Sequence, residues 1–252
     1  MKKHWGGVFI ELAIVIVGVF IGLQVNNWNQ ARADVSLGQD YVKRLTRDLQ
    51  ENLTGLQAEI AYYSNVLQSV QRTDELLRAA NPDPRALVVN AYRASELIYN
   101  APVRATWDQI VSSGHLGLLP VDAAESGLSL YYAFDTAQDV YRAGLNSAYR
   151  ETARQIIPMT MQAAMRAGCS DVRDARGNIV GFTKECDLQV DPAALKEVAA
   201  ALRSNPAILT HLQYQYSFAV SATLNLGGVE NNVREALAAL GAAPKAAAKT
   251  AR

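Results

Sequence analysis

The side chains best able to carry out chemistry are three histidines and a pair of serines, and their spacing assembles no recognised catalytic or metal-binding motif. His4, His115 and His211 are far apart in the sequence, and none has the neighbouring ligand that a structural zinc site requires. Ser112 and Ser113 come shortly before His115, but a nucleophilic triad is defined by geometry rather than by sequence neighbours. We interpret this segment as a helix that ends in a Ser/Gly turn.

Other signatures of catalysis are also missing from the sequence. It contains no phosphate-binding loop, no nucleophile elbow and no His-Glu-x-x-His motif. Asp135 and Asp139 would share one helix face, but this spacing is more typical of a solvated face than of a catalytic pair. Lys+Arg and Asp+Glu number 24 each, so the basic surplus of nucleic-acid-binding proteins is absent. The sequence therefore predicts a protein that is not an enzyme, uses no cofactor or metal and binds no nucleic acid.

The two cysteines, Cys169 and Cys186, flank the one segment that does not have a helical pattern, residues 168–190. Within it, residues 175–182 have the composition of a small hairpin that turns at Gly177-Asn178. A redox-active pair is the alternative, but the spacing is not Cys-x-x-Cys. Because we expect this part of the chain to be exported to an oxidising compartment, we predict a structural disulfide.

The first thirty residues look like a membrane anchor. Residues 7–25 form an apolar run interrupted only by Glu11 and Gln24, long enough for a helix across a hydrocarbon core of about 30 Å. Trp5 and Trp28 bracket the run, as aromatic residues do at the two membrane interfaces. Lys2 and Lys3 precede it, which by the positive-inside rule predicts a cytoplasmic N-terminus and a periplasmic remainder in a bacterial inner membrane.

A cleavable signal peptide is the competing interpretation of the same segment. Residues 31–33 read Ala-Arg-Ala, which imitates a cleavage site before Asp34. Against cleavage, the apolar run is longer than the usual signal-peptide core, it contains Glu11, and the tripeptide is far from its end at Leu23. Under either interpretation the rest of the chain is exported across the membrane. We favour the retained anchor.

One stripe of the predicted span differs from its other faces. Its members recur every three or four residues, so they align on one side of a helix: Glu11, Val15, Gly18, Gly22 and Asn26. Small residues four apart allow two membrane helices to approach closely, and an ionisable residue in a span is costly when it faces lipid. We predict a helix–helix interface along this stripe. The alternative is that glycines are simply common in such helices and that Glu11 reaches the nearby interface.

The exported part is predicted to be all-α, an antiparallel helical bundle with one small disulfide-closed loop. The domain plan is an anchor over residues 1–30, a bundle over 31–241 and a disordered tail over 242–252. Helices are expected over 35–80, 86–99, 103–119 and 121–157, with a continuation to 167. Two more are expected over 191–203 and 206–240, the first capped by Asp191 with Pro192 at its first position.

No proline separates the helix over 35–80 from the anchor, so we expect the two to be nearly continuous. The apolar stripe expected in the helix over 35–80 is Val42, Leu45, Leu49, Leu53, Leu56, Ile60, Leu67, Val70 and Leu77. Phe134 is one of the apolar positions expected in the helix over 121–157. The buried stripe expected in the last helix is Leu209, Leu212, Tyr216, Val220, Leu224, Val229, Val233, Leu237 and Leu240.

The end of the apolar segment resembles an uncharacterised bacterial family of single-span membrane proteins. In that family a span that carries Glu and Gly closes with Asn-Asn-Trp-Asn-Glu; here Glu11 and Gly18 precede residues 26–30, with Gln30 in place of the closing Glu. Residues 106–116 are similar to the family's aromatic-x-x-Leu-x-x-Ser-Gly-x-Leu stretch. The resemblance covers residues 1–135 and implies a membrane-anchored helical protein, without catalytic residues to transfer.

These observations favour a non-enzymatic accessory or scaffold subunit that docks through its transmembrane helix on a membrane-protein partner or on a second copy of itself. A periplasmic sensor module that binds a ligand inside the bundle is the alternative. That alternative predicts a sizeable internal pocket, whereas a scaffold predicts a filled core and an exposed apolar patch. The candidate pocket residues are four tyrosines, Tyr131, Tyr132, Tyr214 and Tyr216.

Overall fold

The longest element that the structure describes is a single helix that joins the apolar N-terminal segment to the bundle. A computed structural model of the 252-residue chain describes residues 5–125, 127–175 and 177–241. Helix α1 runs without interruption over Trp5–Arg78, which corresponds to about 110 Å at the usual rise per residue. No proline occurs in this stretch, so the expectation that the anchor passes directly into the first bundle helix is confirmed. Lys2, Lys3, His4 and the predicted tail lie outside the described residues.

The remaining elements surround the second half of α1. In chain order they are α2 (Pro84–Arg93), α3 (Ala105–Ser112), a 3₁₀ turn (Leu116–Leu118), α4 (Val121–Glu125), α5 (Leu128–Ala133), α6 (Thr136–Leu145), α7 (Ala148–Ile156), α8 (Met159–Gly168), β1 (Asp171–Arg173), β2 (Ile179–Phe182), α9 (Pro192–Ser204) and α10 (Ile208–Ala239). The predicted fold class, an all-α bundle with an apolar N-terminal helix and one disulfide loop, is confirmed.

Helices α1 and α10 form the antiparallel frame of the bundle. Gln57 donates a 3.0 Å hydrogen bond to Glu230, whereas further along α1 the ring of Tyr63 lies 6.1 Å from that of Phe218. Residue numbers thus rise along α1 as they fall along α10. The C-terminal end of α10 therefore returns towards the part of the bundle that is nearest the apolar segment of α1.

The apolar stripe predicted for α1 is largely confirmed. Six of its nine positions are buried, namely Leu45, Leu49, Leu53, Leu56, Val70 and Leu77, and the other three pack against the core while remaining partly exposed, namely Val42, Ile60 and Leu67. Three tyrosines on the same side of α1, Tyr41, Tyr62 and Tyr63, are also fully buried. They add large apolar surfaces to the core that a search for aliphatic residues misses.

The prediction of one long helix over residues 121–157 is wrong, because this region forms the four short helices α4–α7. Asp135 caps α6 by accepting a hydrogen bond from the Gln138 amide, and Ser147 caps α7 in the same way. Phe134, which was expected to be apolar core, has extended backbone angles and a 63% exposed side chain. N-cap residues thus start new helices in a region where the spacing of apolar residues alone predicts one continuous helix.

The buried face of α10 was predicted only in part. Leu212, Val233 and Leu237 are buried as expected, but Tyr216 and Leu224 are 45% and 71% exposed. Consecutive four-residue steps rotate about 40° each around a helix, so the predicted series drifts off the core. The helix instead buries small residues, among them Ala219, Ala222 and Ala236.

The disulfide loop has the predicted form. Cys169 and Cys186 are bonded, and between them β1 pairs antiparallel with β2. Gly177 has a positive φ of 87°, a conformation that favours glycine. The loop is attached to α2, because Arg85 and Arg93 donate to the carbonyls of Cys186 and Thr183 at 2.6 and 2.7 Å.

Opening this disulfide is expected to destabilise the bundle without releasing the protein from membranes. A bridge that closes a loop of this length contributes about 3 kcal/mol in the chain-entropy model, whereas the predicted anchor lies at the other end of α1. Thermal unfolding of the detergent-solubilised protein with and without reductant measures the first effect, and membrane sedimentation measures the second. Two free thiols in the natively exported protein would contradict the structural role of the bridge.

Candidate functional site

The first part of α1 stands free of the bundle and is apolar all round. Its large apolar side chains between Phe9 and Val25 expose 52–65% of their surface. By length and composition this helix could cross a membrane, and soluble domains rarely leave so much contiguous apolar surface uncovered. The surface therefore needs either lipid or another protein as its neighbour.

The structure places the five predicted interface residues on one side of this free helix. Glu11, Val15, Gly18, Gly22 and Asn26 belong to the same uninterrupted α-helix, so their three- and four-residue spacing aligns them. A Cβ atom built on either glycine would meet nothing within 4 Å. The stripe is open and has the shallow profile that allows a second helix to approach closely.

The stripe faces away from the bundle. Leu45 and Leu49, both fully buried in the core, follow Gly18 and Gly22 by about seven and a half helical turns. The half turn beyond seven whole turns places these two leucines on the side of α1 opposite to the glycines. A partner helix can therefore lie along the stripe without colliding with the bundle.

A short helical stalk, residues 29–36, connects the apolar segment to the bundle. Its side chains are largely exposed, and it is bordered by Gly38, where the backbone of Leu118 comes so close that a Cβ would lie 2.6 Å from its carbonyl oxygen. Local contacts hold the stalk: the Arg32 guanidinium lies 5.4 Å from the Trp28 ring centroid, and Gln30 donates to Asp34 at 2.8 Å. The bundle and the apolar segment are thus joined by continuous helix.

Inside the bundle, polar side chains of α1 hold the non-helical segment before α3. Asn52 bonds both backbone groups of Val103, accepting from its amide at 2.7 Å and donating to its carbonyl at 3.0 Å. Asp48 accepts a 2.5 Å hydrogen bond from Thr106. Both α1 side chains are at most 5% exposed, so these bonds satisfy backbone and side-chain groups that water does not reach.

Glu59 is the most unusual member of this polar row. It is 1% exposed; one carboxyl oxygen accepts a hydrogen bond from the Asn100 amide, while the other has no partner among the described residues. Burial raises its pKa to about 8, and the charge of Asp135 acts in the same direction, although the Asn100 hydrogen bond opposes the shift. Glu59 therefore carries a proton at neutral pH.

Replacing Asn52 by leucine is expected to destabilise the fold. The variant leaves the Val103 amide without its partner, at a cost of about 1–3 kcal/mol, and leaves its carbonyl with only the 3.4 Å hydrogen bond from Tyr132. Thermal unfolding of Asn52→Leu compared with the wild type measures this loss. Asn225→Leu, an exposed position on α10, is the matched control and should leave the transition within about 0.5 kcal/mol; equal effects would contradict the role of Asn52.

A second polar cluster lies next to the disulfide loop. The Arg154 guanidinium pairs with Glu96 at 2.5 Å, donates to Ser95 at 2.7 Å and covers the Tyr92 ring at 3.6 Å from its centroid. A neighbouring cavity of about 160 Å³ is lined by basic and acidic side chains, including Arg93, Arg166, Arg173, Glu96 and Asp171. Arg154 is already paired within the protein, so we assign this cluster a structural role.

The histidines and serines considered for catalysis do not come together. His115 Nδ1 lies 2.8 Å from the Tyr41 hydroxyl, and His211 Nδ1 lies 2.8 Å from the Thr152 hydroxyl. Ser112 donates to the Gln109 carbonyl within its own helix end, as the Ser/Gly-turn interpretation expects. Among the described residues no group of three His, Cys, Asp or Glu side chains could hold a metal ion.

The four tyrosines proposed to line a pocket are also separated. Tyr131 and Tyr132 are buried, and Tyr132 stacks on Trp107 with ring centroids 5.1 Å apart. Tyr214 and Tyr216 are 78% and 45% exposed on α10. The four tyrosines therefore do not line one pocket, because two of them pack in the core and the other two are exposed on α10.

Sequence reasoning missed the buried polar row. Asn52 and Glu59 occur on the same side of α1 as the leucines of the core, and this placement on an apolar stripe is the signal that could have found them. Comparison with known proteins gives no match to a family model, to a curated protein or to a solved structure. The functional interpretation therefore depends on the geometry of this chain alone.

Proposed function

We propose that this protein is a non-enzymatic, membrane-anchored accessory or scaffold subunit. In this proposal α1 spans a bacterial inner membrane with its N-terminus in the cytoplasm, and the bundle lies in the periplasm. The stripe through Glu11, Gly18 and Gly22 docks on the span of a membrane-protein partner or on a second copy of the chain. One observation carries the proposal: the stripe is open and faces away from the bundle on an uninterrupted helix.

Two further features support this assignment. A disulfide between Cys169 and Cys186 is typical of proteins in oxidising compartments such as the periplasm. A carboxylate such as Glu11 within a span is expensive when it faces lipid, so a protein neighbour on that side lowers its cost.

Affinity purification of the tagged full-length protein from native membranes in mild detergent tests the proposal. We expect a stoichiometric membrane-protein partner or a homodimer, identified by intact mass. Recovery of the protein alone as a monomer would contradict docking. An intact mass that begins at Asp34 would show that the apolar segment is a cleaved signal peptide, and the stripe would then have no role in the mature protein.

A ligand-binding sensor module is the second candidate, and one observation favours it. An open groove of about 620 Å³ lies between α1 and α10 at the end of the bundle far from the stalk, lined in part by Val70, Asp74, Leu212 and Tyr216. Two cavities, one lined by Asn52 and Asn100 and one beside the disulfide loop, are smaller at about 80 and 160 Å³, below the roughly 300–1,000 Å³ of typical ligand pockets. An open cavity lined by Phe182 and Thr183 reaches only the lower end of that range, at about 300 Å³. A monomeric purified protein would direct ligand screening to the groove.

A further inference from the structure

The end of the bundle nearest the stalk is covered by a segment without charge. We call residues 109–121 the membrane-proximal cap; they lie between Asp108 and Asp122 and contain no Asp, Glu, Lys or Arg. The cap packs on the start of the bundle-forming part of α1, because the Leu118 carbonyl abuts Gly38 and His115 lies 2.8 Å from the Tyr41 hydroxyl.

The cap also presents apolar side chains outwards. Val111, Leu116 and Val121 are 46%, 39% and 70% exposed. Exposed ion pairs occur at both ends of the bundle, between Asp40 and Arg44 beside the cap and between Arg72 and Glu75 at the far end of α1. The cap itself differs from these neighbours because it exposes apolar side chains and carries no charged residue.

The continuous helix sets the height of the cap above the membrane. Gly38 follows Trp28 by about 15 Å along the helix axis, and headgroups extend about 5–8 Å beyond the hydrocarbon core. With Trp28 at the interface, the remaining gap is about 10 Å or less, and a tilt of α1 by the average of about 20° would narrow it further if α1 leans towards the bundle side.

We propose that the membrane-proximal cap rests on the lipid surface and inserts Leu116 and Val121 among the headgroups; this rests on the proposed anchoring of α1. Lipid is the occupant that fits, because Gly38 and Tyr41 lie on the bundle side of α1, and a partner helix on the stripe lies on the other side. An uncharged apolar loop matches the membrane interface, where buried apolar area drives binding. A second attachment of this kind fixes the orientation of the bundle relative to the bilayer.

Fluorescence quenching in phosphatidylcholine vesicles tests the cap. The full chain, with its disulfide intact, carries one environment-sensitive fluorophore on an introduced cysteine, in the variants Leu116→Cys and Val121→Cys. Ile16→Cys in the apolar segment reports anchoring, and Gln68→Cys, exposed on the distal half of α1, reports a position away from lipid. Nitroxide-headgroup and nitroxide-acyl lipids are the quenchers.

We expect headgroup nitroxides to remove about half of the fluorescence at positions 116 and 121, as for groups held about 5–10 Å deep in the interface, and to leave position 68 unchanged. Quenching at 16 but not at 116 or 121 would overturn the cap and leave the anchor intact. Absence of quenching at 16 would overturn the anchor itself and the cap with it. Equal headgroup quenching at 68 would show that the bundle lies flat, which also overturns the proposed contact.

Discussion

Replacing Gly18 and Gly22 together by leucine is expected to reduce recovery of the partner, or of the second copy, at least about tenfold. Leucine side chains would fill the shallow profile of the stripe and hold the two backbones apart, so the close packing that stabilises membrane helix pairs would be lost. A tenfold loss of affinity corresponds to only about 1.4 kcal/mol of binding free energy, which is a small loss for a variant that disrupts packing at two positions of the interface. Quantitative affinity purification of Gly18→Leu/Gly22→Leu from native membranes measures the effect.

Ala13→Leu is the matched control for this experiment. Ala13 lies about two and a half turns before Gly22, on the opposite face of the same helix, and the substitution adds the same kind of bulk within the same apolar segment. The control should retain the partner at the wild-type level. Equal losses in both variants would point to disturbed insertion, and unchanged recovery in both would remove the interface.

Replacing Glu59 by glutamine is expected to remove a pH-dependent loss of stability. The pKa of Glu59 is raised from 4.5 to about 8 in the folded state, chiefly by burial. Between these values the folded protein binds a proton that the unfolded chain has lost, so the free energy of unfolding falls as pH rises through this window. Within this window the free energy of unfolding falls by up to about 1.4 kcal/mol for each pH unit. Each kcal/mol of lost stability lowers the melting temperature by about 2–4 °C in a chain of this size.

Thermal unfolding of the detergent-solubilised protein between about pH 5 and pH 9 measures this difference, because that range covers most of the interval from the unfolded-state pKa of 4.5 to the folded-state pKa of about 8. Near pH 5 the variant and the wild type should unfold at similar temperatures, whereas towards pH 9 the variant should be the more stable. Glu51→Gln, an exposed position two turns earlier on α1, should follow the wild-type profile. A wild-type-minus-variant difference that is constant with pH would contradict a protonated, buried Glu59.

The parts of the fold that could be predicted are those fixed by local patterns. A three- and four-residue apolar period predicts the leucines that α1 buries, and the Asp191-Pro192 pair predicts the start of α9, where Asp191 accepts from the Ala193 amide at 3.0 Å. The breaks before α6 and α7 escaped prediction because each depends on one cap residue, Asp135 or Ser147, against a continuing apolar pattern. Leu224 was wrongly expected to be buried because a series of four-residue steps drifts off the buried face of α10.

The buried polar row shows a different limit of sequence reasoning. A carboxylate on a helix is usually solvated, and Glu59 is buried only because the segment around Asn100 covers it. That segment has no regular period from which its path could be inferred. The alignment of the stripe residues on one side of α1 could be predicted from their spacing. The direction in which the stripe faces relative to the bundle could be derived only once α1 was known to be continuous between the two.

The most direct test of docking through the stripe is a photo-crosslinking scan of the apolar segment in native membranes. A photoreactive residue placed in turn at each position from 9 to 28 reports which side of the helix contacts protein. We predict maximal adduct formation at Glu11, Val15, Gly18, Gly22 and Asn26, with a single adduct mass that identifies the partner or a second copy. Equal yields around the helix, or a maximum on the face of Ala13, would contradict docking through this stripe.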